Sequence, residues 1–248
     1  MKPKPLRPHQ HRTVAIIISR SVKSGRDRLQ GSLRILAKRR DLAVACYRTE
    51  SIRENQRIAA DAVIIQTFDF RGRTDPGAFT VKIANVPHRQ DGKFHYLYDN
   101  AAIAEAAAKL LLRRGYRSFA YIGTDIPLEL TNSDERGDAF AAFVRAQDFP
   151  CAIYRADPEA VEPIDDLGAL REFLVALPKP CGVMLYADDR AQIVYEACRQ
   201  ARLSIPDQVA IVGVDNETDI CEAMNPALTS ILPDFIGSGE DAAPLVLR

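Results

Sequence analysis

One stretch, Pro180 to Asp234, constrains the fold of this chain more than any other. Its opening run, Gly182-Val-Met-Leu-Tyr-Ala, is apolar without helical spacing and stops at two adjacent carboxylates, Asp188 and Asp189. Ala191, Val194, Ala197, Cys198 and Ala201 then recur at three- and four-residue steps, as one apolar helix face does. Ile205-Pro206-Asp207 ends that helix, because proline cannot continue it and restrains its neighbour. A second apolar run, Val209-Ala-Ile-Val-Gly-Val, again ends on a carboxylate, Asp215. The stretch therefore reads as strand–helix–strand, with an acid just past the C-terminal end of each strand. Open parallel sheets bind ligands at that edge. Two carboxylates delivered there are hydrogen-bond acceptors aimed into one crevice.

The rest of the chain alternates in the same way. Val14–Ile18, Leu42–Tyr47, Ala62–Gln66 and Val81–Pro87 read as strands, the last closed by its proline. A helix is expected from about Asp27, with Leu29, Leu33, Leu36 and Ala37 on one face, and Ser51–Ala60 offers a weaker one. Asp69, Arg71, Arg73 and Asp75 mark a loop. Asp99-Asn100 caps a helix over Ala101–Arg114 that Gly115 ends. A strand at Arg117–Gly123, a helix from Glu135, a strand at Ala152–Arg155, an acidic loop at Asp157–Asp166 and a helix at Leu167–Leu177 follow. Such alternation favours parallel sheets joined by right-handed crossovers, an α/β architecture.

Composition closes several routes. Lys+Arg and Asp+Glu balance at 33 each, so no global field draws nucleic acid or an anionic membrane. No apolar run approaches the ~18–20 residues of a membrane-spanning helix, and no signal-peptide core follows the start, so a cytoplasmic location is expected. Residues 1–12 form a basic, proline-interrupted tail that reads as solvated and disordered, or else as an arm touching phosphate. The five cysteines are scattered without a CxxC pair, and His9, His11, His88 and His95 lie far from them. They read as small buried hydrophobes in a reducing compartment, and neither a metal nor a cofactor is expected.

Four further features carry a bland and a chemical reading. Gly237-Ser-Gly239-Glu-Asp-Ala242 matches a dinucleotide fingerprint on paper, but it lacks the strand, long helix and acid that the fingerprint needs. Asp188 and Asp189 could do acid–base work, or one could cap the helix that follows. Arg136, at a helix start, is a solvated charge or a planar donor clamping a polyol oxygen. Phe68, after a strand end, is a core ring or the platform on which a sugar face packs.

Asp99 with Leu-Leu-Arg-Arg-Gly-Tyr-Arg-Ser-Phe-Ala-Tyr-Ile-Gly, and then Glu135-Arg136-Gly-Asp-Ala-Phe, resembles the second lobe of the lac-repressor/ribose-binding superfamily. The run from Cys181 to Asp234 is similar to the effector domain of xylose-type, XylR-like regulators; Val-Gly-Val-Asp215-Asn216-Glu217 followed by Pro226-Ala-Leu-Thr-Ser is its most specific part. The resemblance implies a two-lobed, hinged, periplasmic-binding-protein-like (type I) fold of parallel sheets flanked by helices. Residues 13–98 plus 233–248 would form the N-terminal lobe and residues 99–228 the C-terminal lobe, with hinge crossings near 98–99, 226–230 and 233–234.

The same resemblance implies that Arg136, Asp188 and Asp215 hold sugar hydroxyls, with Asp27 or Arg28 and Phe68 contributing from the first lobe. Carboxylates accept hydroxyl hydrogens and arginine donates to sugar oxygens, so the chemistry agrees. The expected function is that of a pentose-binding effector domain of an AraC/LacI-related transcriptional regulator: a xylose-like effector, a homodimer, no catalysis, and signalling by hinge closure. The family pattern continues beyond Arg248 into AraC-type helix-turn-helix units, so DNA contact is expected only through a domain not present in this chain. Pro244 is expected to damage the last helix and expose apolar surface. A solute-binding protein feeding a transporter and a carbohydrate-active enzyme using the paired acids are the competing readings.

Overall fold

The apolar runs become parallel strands, fully buried at Ala62–Gln66, Ser118–Ile122, Cys181–Leu185 and Val209–Val214, as their lack of polar alternation requires, whereas Leu42–Tyr47 is only half-buried. The computed structural model describes residues 11–66, 72–84, 94–123, 135–155 and 166–247. Of the expected tail (residues 1–12), residues 1–10 lie outside the described residues, as do Phe68, Asp69, Arg71 and residues 157–165 of the acidic loop, whereas Arg12 already belongs to the first strand. In chain order the first elements are β1 (Arg12–Ile17), α1 (Lys23–Leu36), β2 (Leu42–Tyr47), β3 (Arg57–Ile58), β4 (Ala62–Gln66), β5 (Arg73–Thr74), β6 (Phe79–Ala84) and β7 (Phe94–Leu97). Then come α2 (Asn100–Arg113), β8 (Ser118–Ile122), α3 (Glu135–Arg145), β9 (Cys151–Tyr154), α4 (Leu167–Ala176) and β10 (Cys181–Leu185). The series closes with α5 (Ala191–Gln200), β11 (Val209–Val214), α6 (Thr218–Ala223), β12 (Thr229–Ile231) and α7 (Phe235–Ala242).

The chain divides into two compact units, Met1–Tyr98 with Asp234–Arg248, and Asp99–Pro233. In the first unit a parallel sheet runs β2-β1-β4-β6-β7. Successive side chains of a strand point to opposite faces, and the core splits accordingly. Val14, Ile16, Ile64 and Val81 pack with Leu36, Ala242 and Val246 on one face. Ala15, Ile17, Val63 and Ile65 pack with Ile52, Ile58 and Ala78 on the other. The second unit repeats the design with the order β12-β11-β10-β8-β9, again parallel throughout. Thr229–Ile231 pairs with β11 and stays within this unit.

Both units begin a helix right after the chain enters them. Asp99 caps α2 by accepting from the Ala102 amide at 2.9 Å, and Asp234 caps α7 by accepting from the Gly237 amide at 2.8 Å. The two caps share one backbone conformation, φ −79°, ψ 76° and φ −77°, ψ 76°.

Several expectations need correction. Helix α1 starts at Lys23, a full turn before Asp27. Its first turn is polar in sequence, yet Ser24, Gly25 and Arg28 are buried, and Lys23 pairs with Asp27 at 2.6 Å one turn on. The weak helix at Ser51–Ala60 is absent. A single 3₁₀ turn at Thr49–Ser51 leads instead to β3, which pairs with β5 in a small parallel ribbon. Asn55 turns left-handed there at φ 59° and accepts from Arg73 Nε at 2.8 Å. The last helix is intact: α7 runs into a 3₁₀ turn at Ala243–Leu247, and Ala242, Ala243 and Val246 have no exposed surface. Pro244 falls near the start of that turn, where its missing N–H costs little. Cys46 is exposed rather than buried, while the other four cysteines are buried.

The glycine pattern at the C-terminus has a packing cause. A β-carbon on Gly239 would lie 2.2 Å from the Arg28 carbonyl oxygen, and one on Gly31 would lie 2.0 Å from the Ile236 carbonyl oxygen. Helices α1 and α7 thus cross with their backbones in contact, and Ser32 Oγ donates to the Gly239 carbonyl at 3.2 Å. What resembled a nucleotide fingerprint is a helix crossing. Among the described residues, no helix is long and apolar enough to cross a membrane.

Candidate functional site

Parallel strands end together, so the residues following β8, β10, β11 and β12 share one edge of the second sheet. Leu185 pairs with Ile122 and Val214 with Ile231 at that edge. Asp188 lies in a 3₁₀ turn, Asp188–Arg190, between β10 and α5. Ala187 caps this turn and Arg190 the helix that follows, neither with a side-chain hydrogen bond. The Asp188 side chain turns instead toward the ends of β11 and β12. Its Oδ1 accepts from Ser230 Oγ at 2.8 Å; its Oδ2 accepts from the Glu217 amide at 2.8 Å and from Cys221 Sγ at 3.5 Å. The residue has no exposed surface. Burial pushes its carboxyl above the usual carboxylate range, against the opposing pull of those three donors.

Gly213 makes this possible. A β-carbon there would sit 2.0 Å from Asp188 Oδ1 and 2.9 Å from Leu228 Cδ2. A glycine inside a strand often marks such a close approach.

Asp215 and Asn216 follow β11 in the left-handed half of backbone space, at φ 99° and φ 52°. Two successive non-glycine residues there are costly, and strain of this kind collects at functional sites. The Asp215 amide donates to the Ile231 carbonyl at 2.9 Å, and the Asn216 amide to Ser230 Oγ at 2.9 Å.

Arg136 occupies the first turn of α3 and is 5% exposed. Its Nε donates to Asn100 Oδ1 at 3.2 Å and its Nη1 to the Tyr186 carbonyl. The guanidinium also stacks over the Tyr186 ring, 4.8 Å from its centroid. Asn100 in turn donates to Glu135 Oε2 at 3.4 Å. Arg136 is thus held by α2 and by the chain just past β10.

Asp27 and Arg28 belong to the first unit. Asp27 is engaged by Lys23 on its own helix. Arg28 is 2% exposed, and its guanidinium lies between two rings, 4.5 Å from the Tyr98 centroid and 4.8 Å from that of Phe235. Nε donates to Ser238 Oγ at 3.2 Å, whereas the buried Nη1 has no hydrogen-bond partner among the described residues. An unmet donor costs about 1–3 kcal/mol and a desolvated cation–π contact returns about 2 kcal/mol, so two rings offset it.

Sequence reasoning missed Ser230, the Glu217 amide and Cys221 around Asp188, Asn100 and Tyr186 around Arg136, and the rings around Arg28. Gly213, interrupting an apolar strand, was the one legible sign of the Asp188 packing. Among the described residues no group of three or more His, Cys, Asp and Glu could hold a metal ion.

A two-unit parallel α/β chain with ligand-type side chains at a sheet edge defines a class, and comparison with known proteins agrees. The chain belongs to the periplasmic binding protein-like domain family, whose model matches residues 108–248. Among its relatives, it is 27% identical over 171 residues to the xylose operon regulatory protein of Haemophilus influenzae, covering 67% of this chain and 44% of that protein. It is 28% identical over 151 residues to the ribose operon repressor of Escherichia coli K12, covering 57% of this chain and 42% of that protein. The chain thus spans less than half the length of these curated relatives. The solved structure of the xylose-binding transcription activator XylR has a TM-score of 0.76 at 18% identity, covering 97% of this chain and 63% of that one. A transcriptional regulator CelR–cellobiose complex gives 0.70 at 19%, covering 95% and 76%. These likenesses carry the fold, and the XylR-like resemblance read from residues 99–234 stands.

Proposed function

We propose that this chain is the sugar-binding effector domain of a transcriptional regulator, taking a pentose of the xylose type. The observation that carries the reading is the strained Asp215–Asn216 turn at the C-terminal edge of the second sheet, the edge that also receives Arg136. A strained turn presents a carboxylate at a fixed place, and a carboxylate there accepts two sugar hydroxyls. Two of the five N–H donors of Arg136 are committed to Asn100 and Tyr186, and the others are the ones that serve a sugar oxygen. The names of the xylose and ribose operon relatives support a sugar as effector.

On this reading the chain is not an enzyme. It acts as a homodimer and reaches DNA only through a DNA-binding domain outside residues 1–248. Effector binding shifts a hinge equilibrium by its differential affinity for the two states. Asp215 and Arg136 contact the sugar, while Arg28 anchors the first unit between its rings.

The test is calorimetric titration of the chain with xylose, arabinose, ribose and glucose, with Asp215→Ala alongside. The expected result is micromolar binding of one pentose, lost in the variant. A folded protein that is silent across the panel overturns the reading.

A further inference from the structure

We infer that Asp188 and Ser230 are positioning residues that lock the Asp215–Asn216 turn in its left-handed form and so set effector affinity without touching the effector. The inference rests on the reading of Asp215 as an effector contact. It departs from the expectation that Asp188 holds sugar hydroxyls itself.

Three consecutive amides follow the end of β11, and each has its own acceptor. Asp215 N–H goes to the Ile231 carbonyl, Asn216 N–H to Ser230 Oγ, and Glu217 N–H to Asp188 Oδ2. Ser230 Oγ passes its own hydrogen to Asp188 Oδ1 at 2.8 Å. Two of the three routes therefore end on one carboxylate, which has no exposed surface and takes Cys221 Sγ as a third donor.

The geometry fits a holding role. Left-handed non-glycine residues are strained and persist only where their surroundings hold them. Hydrogen bonds that converge on one carboxyl group hold the backbone groups donating them. Asp188 and Ser230 together hold the strained backbone at φ 99° and φ 52°. Without them the turn relaxes, and the Asp215 carboxylate leaves its place.

The chain is compared with Ser230→Ala, Ser230→Thr and Asp188→Asn by amide hydrogen exchange without ligand, and by titration with the same four sugars. In Ser230→Ala, exchange at residues 215–217 should quicken about tenfold, the equivalent of one hydrogen bond, while that of α5 stays unchanged. Ser230→Thr, which keeps the hydroxyl, should restore it. Asp188→Asn, whose amide presents a donor where two donors converge, should quicken exchange at least as much; if it does not fold, Ser230→Ala decides. The affinity for whichever pentose binds should fall about tenfold in Ser230→Ala and recover in Ser230→Thr. Unchanged exchange at 215–217 in Ser230→Ala overturns the inference, as does quickened exchange with full affinity. If the wild-type chain binds none of the sugars, the effector reading fails while exchange still decides whether Asp188 and Ser230 hold the turn.

Discussion

Replacing Gly213 by alanine is the sharpest probe of the packing beneath the candidate site. Gly213 lies in β11 and pairs with Ser230 of β12, and its backbone is one that alanine can adopt. On the unfolded-chain entropy alone, Gly→Ala at such a position would stabilise by about 0.4–1 kcal/mol. The new methyl carbon, however, would fall 2.0 Å from Asp188 Oδ1 and 3.2 Å from its Cγ. The strand is held by its neighbours, so the carboxylate must move. That move breaks the bonds from Ser230 Oγ and the part-buried Glu217 amide, at up to about 1–3 kcal/mol for each group. The net expectation is a loss of about 2–4 kcal/mol, a fall in melting temperature of roughly 10 °C for a unit of this size. Differential scanning calorimetry of Gly213→Ala, Asp188→Ala and the double variant measures it. The double variant should be less destabilised than the sum of the singles, because both remove the same bonds. Stability equal to the wild type in Gly213→Ala, or strict additivity, would refute the reasoning.

Other expectations concern charge, thiols and helix packing. Burial raises the Asp188 carboxyl pKa when folded, so only between the ordinary value and the raised one does the native state hold a proton that the unfolded chain has released. Its contribution is fully present below the ordinary carboxylate pKa and is lost as pH rises through the raised value; unfolding titrations of Asp188→Asn should lack that slope. Burial pushes the Cys151 thiol to about 11 and those of Cys198 and Cys221 to about 12, whereas Cys46 is exposed. A thiol reagent at pH 8 should therefore label Cys46 first, and mass spectrometry reads the order. Gly239→Ala should destabilise by at least about 1–3 kcal/mol through the α1–α7 contact. Gly168→Ala, with nothing within 4 Å of the new carbon, should stabilise α4 by up to about 1 kcal/mol in urea unfolding.

The sheets were legible because their strands are near-continuous apolar runs, and Asp99 announced α2 through its capping chemistry. The first turn of α1 was not legible. Lys23-Ser-Gly-Arg-Asp-Arg carries no apolar period; Gly25 is packed against the Ser19 carbonyl and Ile18, and only Arg28 meets the helix two hundred residues away. The same distance hid the partners of Arg28, since Phe235 and Ser238 meet it only after folding. At the candidate site, spacing brought Asp188 and Asp215 to one sheet edge but could not say which way each carboxylate turns. That depends on Gly213, Ser230 and Cys221, whose individual identities are unremarkable until the sheet places them side by side.

The division of the chain also bears on how it is made. The second unit is a continuous segment, Asp99–Pro233, whereas the first is assembled from Met1–Tyr98 and Asp234–Arg248. During synthesis every residue of the second unit leaves the ribosome before α7 does. Until then Leu36, Val81 and Ile64 wait for Ala242, Ala243 and Val246 to cover them. The amino-terminal unit therefore cannot complete its core first, as an amino-terminal domain usually does. The nascent chain carries an unfinished apolar sheet face through the whole synthesis of its neighbour.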